Sequence, residues 1–194
     1  MISRQAATLE NVVSIEAHAV ILRHLHMITE SALRKHIKAF AATISHQELG
    51  LAHYRPEKWG QPTRCFENVA RKVQEDAGRV QFGWMFHHRY VTDIPDSDYL
   101  IAAHHAVWHA PNGDLIDVTP FHPDAKHHPI SPGGDVLFLV DSGAMPVITD
   151  RLMAPLPSKF SPVSNDERLL SHLQRLSREE EQHCRLIYEG KAFS

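Results

Sequence analysis

The stretch Ala103-His104-His105-Ala106-Val107-Trp108-His109-Ala110-Pro111-Asn112-Gly113-Asp114-Leu115-Ile116-Asp117-Val118-Thr119-Pro120 says more about the fold than any other part of the chain. Two segments of strand composition flank Pro111-Asn112-Gly113. That triplet suits a three-residue hairpin loop, with proline and asparagine in a type I turn and glycine in the left-handed bulge position. Such a loop pairs Ala110 with Asp114, and therefore Val107 with Asp117 and His105 with Thr119. Side chains alternate along a strand, so His105, Val107 and Asp117 share one face while His104 points to the other. His105 and Asp117 become diagonal neighbours, with Cβ atoms about 7 Å apart or less and within reach of an imidazole–carboxylate hydrogen bond. A two-residue turn at Asn112-Gly113 would reverse the parity and favour His104. The three-residue loop selects His105.

The pattern around this hairpin is extended. Residues 79–90, 100–110, 115–119 and 136–141 read as strands, with 147–149 as a further short one, and Pro, Gly and Asp punctuate them. Before them the chain is helical in pattern. Leu9, Val12, Val13, Ile15, Ala19, Val20, Leu22 and Leu25 recur near helical spacing, and Thr29 or Ser31 could cap a second helix carrying Leu33, Ile37 and Phe40. Residues 55–62 hold two prolines, Trp59 and Gly60, and read as a loop. A third helix follows over 65–77, with Phe66, Val69, Ala70 and Val73 inward and Gly78 placed to end it. Gly83 beside Trp84 points to close backbone packing. The proline-rich stretch 153–162 reads as a surface crossing. Asn165 or Asp166 starts a charged C-terminal helix whose apolar stripe is Leu169, Leu170, Leu173, Leu176 and Leu186. Helices, then strands, then a helix make an α+β layout with an antiparallel sheet. The whole of 1–194 is expected as a single domain: N-terminal helices over 1–54, a core over 55–150 and the C-terminal helix over 163–190.

Composition narrows the function. With 194 residues, 43% of them hydrophobic, the chain can bury a full core. A formal charge of -3 and the lack of a basic run give no reason to expect nucleic acid. No apolar stretch is long enough for a bilayer span, and the N-terminus lacks the apolar block of a secretory signal. A soluble, cytoplasmic protein with no membrane partner is the expectation. The two cysteines, Cys65 and Cys184, are too few for a disulfide scaffold and form no Cys-x-x-Cys pair.

Cys65 falls where the third helix begins. The unpaired N–H groups and dipole of a helix N-terminus stabilise thiolate, the reactive form of cysteine. Taken alone, Cys65 reads as a small buried apolar residue, His105 as a satisfied strand histidine and Asp117 as a strand-end aspartate. Their joint arrangement shifts the balance: a carboxylate on one imidazole nitrogen leaves the other to face the thiol. Gln61 and Asn68 could offer side-chain amides to an oxyanion beside the backbone N–H of Cys65. Trp84 and Trp108 are expected as core or cleft walls.

At these residues the chain resembles a known group. Cysteine opening a helix, with histidine and aspartate on successive strands, is similar to the transglutaminase-like branch of the papain-like cysteine enzymes. In that branch a His-x-Trp-like strand, a glycine-containing turn and an Asp-Pro-Thr-like strand follow one another. The counterparts are His105-Ala106-Val107-Trp108, Gly113 and Asp117-Val118-Thr119-Pro120. This chain differs by one extra residue before Trp108 and by Val118 in place of proline. Arylamine N-acetyltransferases share the order, and Cys65-Phe66-Glu67-Asn68 resembles their Cys-x-Glu-x-Asn with the asparagine one place early. The resemblance covers residues 60–120 and implies Cys65 as nucleophile, His105 as base and Asp117 as orienter. It also implies a papain-like fold and acyl transfer through a Cys65 thioester, with no cofactor. The expected substrate is a small molecule or a peptide or protein amide; water as second nucleophile makes the enzyme a hydrolase, an amine makes it a transferase.

Sixteen histidines invite a metal. Neighbouring pairs such as His87-His88, His104-His105 and His127-His128 offer at best one ligand per face of a strand, and no His-Glu-x-x-His motif occurs. His105, His109 and Asp117 could still share a face, with His122 just beyond. A metal-dependent hydrolase built on these histidines is one alternative, and a non-catalytic papain-like binding module with an unreactive Cys65 is the other. Glu179-Glu180-Glu181 reads as a solvated helix face, and Cys184 as structural or incidental.

Overall fold

The computed structural model describes residues 30–124, 129–149 and 153–190. The helix expected around residues 9–25, the cap candidate Thr29 and the pair His127-His128 lie outside them. By internal contacts the chain divides into two units, Met1–Ala39 and Phe40–Ser194. The boundary falls inside helix α1 (Glu30–Ile44).

The second unit is mixed α and β. Its strands are β1 (Leu49–Tyr54), β2 (Arg79–Arg89), β3 (Tyr99–His109), β4 (Leu115–Asp117), β5 (Val136–Val140), β6 (Val147–Ile148), β7 (Met153–Ala154) and β8 (Lys159–Pro162). Two helices join them, α2 (Cys65–Asp76) and α3 (Glu167–Tyr188). β2 and β3 pair along their whole length, from Arg79↔His109 to Arg89↔Tyr99. β2 also pairs with β5, β5 with β1, β1 with β4 and β4 with β3, so five strands close into a small barrel. β8 extends the sheet on the first half of β3, and β6 and β7 form a separate ribbon.

Two expectations need correction here. Residues 49–54 are a strand rather than the end of a helical region, and the sheet is not wholly antiparallel. β1 runs parallel to β4, with His53 opposite Ile116 and Tyr54 opposite Asp117. β1 escapes a sequence reading because Leu-Gly-Leu-Ala-His-Tyr holds no β-branched residue. Its conformation comes from neighbours on both edges, a context that outweighs intrinsic preference.

The hairpin between β3 and β4 has the three-residue loop. Ala110 N donates to Asp114 O (2.9 Å), Gly113 N to Ala110 O (3.0 Å), and Gly113 has φ 94. Parity follows from it. Val107, Ala52, Val136 and Phe138 fill one side of the strands, with Leu115 and Met85 packed on them. On the opposite side Ala106, Ala110, Ile116 and Val118 receive Phe66 and Val69 of α2, helped by Val73, Phe82 and Trp108. The helix shows its apolar residues at i, i+3 and i+7, the spacing of a single stripe. It stops at Asp76 because Ala77 and Gly78 turn left-handed, with φ 60 and 81.

Closure of the barrel depends on Gly83. A Cβ there would stand 2.1 Å from Leu139 O and 2.6 Å from the Phe138 ring, so only glycine lets β2 and β5 approach this closely. Asp166 caps α3, its carboxylate accepting from Arg168 N and Leu169 N. Leu169 and Leu173 pack on Tyr99, Ile101 and Phe160, whereas Leu170 and Leu186, expected in the same stripe, are exposed. Among the described residues no helix is long and apolar enough to cross a membrane.

Candidate active site

A cavity of about 380 Å³ opens where the N-terminus of α2 meets β3 and β4, and Cys65, His105 and Asp117 all line it. Cys65 is the first residue of α2. The chain enters through Thr63, a non-glycine residue held at φ 65, a costly conformation that surrounding structure must enforce. No side chain caps this end, and the first helical hydrogen bond runs from Asn68 N to Arg64 O (2.9 Å). The leading N–H groups of α2 therefore stand beside the thiol, where negative charge would develop.

His105 and Asp117 project from the same side of their strands, as the hairpin parity requires. Nε2 of His105 lies 3.1 Å from Oδ2 of Asp117, and both side chains are almost fully buried. The N–H vector is off the line to the oxygen, leaving Nε2 without a well-aligned hydrogen bond. The contact is foremost an ion pair, with the looseness common before substrate tightens a site. Nδ1 remains for the Cys65 sulfur. Burial works against charge on the imidazole, but the neighbouring Asp117 and Cys65 outweigh it. They raise the pKa of His105 well above its ordinary 6.5. The other oxygen of Asp117 accepts from Thr119 N (2.9 Å), which fixes the carboxylate from behind.

His104 has a different task. One imidazole nitrogen, Nε2, donates to Ala144 O (2.7 Å), and the other, Nδ1, accepts from Leu156 N (2.8 Å). Both bonds are satisfied only by the neutral ring. Burial is the main cause that lowers its pKa to about 4. It is a pin between β3 and two loops, not a base.

The other sequence candidates fall outside the cavity. Asn68 spends both amide donors on Gln61 O (2.8 Å) and Thr119 Oγ1 (3.2 Å), and its oxygen accepts from Gln61 N (3.1 Å). It braces the turn before Cys65 and the strand after Asp117, with no donor left for an oxyanion. Gln61 is exposed and does not line the cavity. Trp84 is buried with its indole N–H on Asp141 Oδ2 (2.9 Å), and Trp108 donates to Ala77 O (2.8 Å). Neither is a cleft wall. Trp84 packs against His104 with ring centroids 5.4 Å apart, and Trp108 packs on the core cluster beneath α2.

The wall that sequence reasoning missed comes from residues 153–158, expected as a surface crossing. Met153, Pro155, Leu156 and Ser158 line the cavity together with Glu180 of α3. Four hydrogen bonds hold this wall: Leu156 N to His104, Tyr188 Oη to Pro155 O (2.7 Å), and both Ser158 N and Ser158 Oγ to Glu180. Glu180, Cys184 and Tyr188 recur every four residues on α3. That spacing was the available signal that Glu180 belongs to a contact face rather than a solvated one. Cys184 is buried on that face, where burial and Glu180 push its thiol pKa up despite a hydrogen bond with Tyr188.

Among the described residues, no three of His, Cys, Asp and Glu gather as a metal-binding group. His122, for example, accepts from Asp124 N through Nδ1 (3.1 Å). Compared with family models, with curated proteins and with solved structures, the chain finds no match.

Proposed function

We propose that this chain is a cysteine-dependent acyl-transfer enzyme, a hydrolase of amide or peptide bonds in a papain-like, transglutaminase-like arrangement. One observation carries the reading: Cys65, His105 and Asp117, contributed by three different elements, converge in one cavity. A buried carboxylate against an imidazole that itself meets a thiol, beside the open end of a helix, is an arrangement with a mechanism. The thiol proton already sits on His105, so Cys65 attacks a carbonyl carbon as thiolate. As the bond to the leaving amine breaks, His105 returns that proton to the departing nitrogen. Water then attacks the thioester with His105 again as base, releasing the acid and restoring the thiol. Leading N–H groups of α2 hold the oxyanion at each tetrahedral stage, a task that Gln61 and Asn68 do not share.

The test is mass spectrometry of the protein exposed to an activated acyl ester. Acyl label should accumulate on Cys65, should be absent from Cys184, and should vanish in the Cys65→Ala variant. Labelling of Cys65 should be much slower in His105→Ala. Turnover that survives Cys65→Ala but is abolished by a chelator would replace this reading with the metal-dependent one. An unlabelled, slowly alkylated Cys65 would leave a binding module.

A further inference from the structure

Most of the cavity wall is apolar: Phe66, Met85, Phe121, Met153 and Leu156 among others. The charges that do face it are nearly all answered within the protein. Asp117 meets His105, and Glu67 meets Arg64 at 3.0 Å. His104 is neutral, held by its two hydrogen bonds. Glu180 differs. One of its oxygens, Oε1, accepts from both Ser158 N (3.1 Å) and Ser158 Oγ (2.7 Å). Among the described residues no Lys, Arg or His lies within ion-pair distance of Glu180, whereas Glu67, Glu75 and Asp76 of α2, Asp166 just before α3 and Glu179 on it have such partners. The carboxylate is thus fixed in orientation, half-buried, and anchored through a single oxygen. Its helix is itself tied to the wall by Tyr188.

We infer that Glu180 is the specificity-determining residue of this cavity and that the acyl substrate carries a cationic group, an ammonium or guanidinium, which pairs with Oε2 of Glu180 while its carbonyl reaches Cys65. This rests on the proposed thiol chemistry and adds the substrate class to it. A cation entering an apolar cavity loses hydration, and only a fixed opposite charge makes that entry favourable. Holding the carboxylate rigidly through Ser158 lowers the ordering cost of the pair. The chemical step is unchanged: a C–S bond forms, the bond to the leaving group breaks, and water returns the thiol.

Two chromogenic esters of matched length test it, 6-aminohexanoyl and heptanoyl p-nitrophenyl esters, scored by the ratio of kcat/KM at neutral pH. Wild type should prefer the ammonium ester about tenfold, the scale of a half-buried charge pair. In Glu180→Gln the amide oxygen still accepts from Ser158 while the charge is gone, and the ratio should fall near unity. Ser158→Ala, which removes one of the two bonds that hold the carboxylate and keeps its charge, should lie between the two and serves if the glutamine variant does not fold. Raising the salt concentration should shrink the wild-type preference and leave the Glu180→Gln ratio flat. An unchanged ratio in both variants, or no wild-type preference, overturns the assignment of Glu180 even when Cys65→Ala abolishes hydrolysis of both esters. Hydrolysis that survives Cys65→Ala overturns the thiol chemistry, and the inference with it.

Discussion

At the scale of single residues, two adjacent histidines on one strand carry opposite electrostatic settings. His105 is held charged by Asp117 and Cys65, and His104 is held neutral by burial and two backbone bonds. Their effects on stability have opposite signs. His104 binds its proton more readily when unfolded, near pH 6.5, than when folded, near 4. It therefore erodes stability as pH falls from about 6.5 to about 4, by about 3 kcal/mol at most. His105 contributes stability that is present below pH 6.5 and lost as pH rises through its raised folded value. Denaturant titrations across pH should show the acid-side loss in wild type and a shallower one in His104→Gln. An identical slope in the two proteins would mean that the ring is not held neutral. For Asp117→Asn, acyl transfer should drop on the order of 10²- to 10⁴-fold, since an amide cannot support the imidazolium, while slow alkylation of Cys65 persists. A fall of less than tenfold would remove Asp117 from the mechanism.

Elements differ in how much of them can be read in advance. The β3–β4 hairpin was legible because its register depends on three consecutive residues, and register then dictates which of two neighbouring histidines meets Asp117. α2 was legible from its apolar spacing and from Gly78. β1 was not, because nothing local in Leu49–Tyr54 specifies a strand; β4 and β5 specify it from far along the chain. The wall at 153–158 was hidden for the same reason: its hydrogen bonds go to His104, Glu180 and Tyr188, all distant in sequence. The misplaced amide candidates reflect a general limit, since sequence shows that a donor exists and not who already occupies it. Tyr188→Phe should cost about 1 kcal/mol, the net worth of a hydrogen bond, and should raise KM by loosening the wall while Cys65 remains reactive. Equal losses in kcat and kcat/KM would place the damage elsewhere. Gly83→Ala should cost about 3 kcal/mol, because the new Cβ meets backbone rather than a yielding side chain. A thermal midpoint unchanged from wild type would show that β2 and β5 can part without penalty.

On the scale of the whole molecule, the order of pairing in space departs from the order of strands in the chain. β2 and β3 are joined by a short connection and pair over eleven residues each. β1, the first strand among the described residues, has only β4 and β5 as partners there. Contacts that close short loops form before those that close long ones. In pulse-labelling hydrogen exchange during refolding, amides of β2 and β3 should be protected before those of β1. Simultaneous protection of all three would mean that the barrel closes in one step. For a chain emerging from a ribosome the consequence is sharper. Leu49–Tyr54 leaves the exit tunnel long before Leu115–Val140 has been translated, so the nascent protein carries an unmated strand through much of its own synthesis. That makes Leu49–Tyr54 the segment most open to mispairing until the fifth strand arrives.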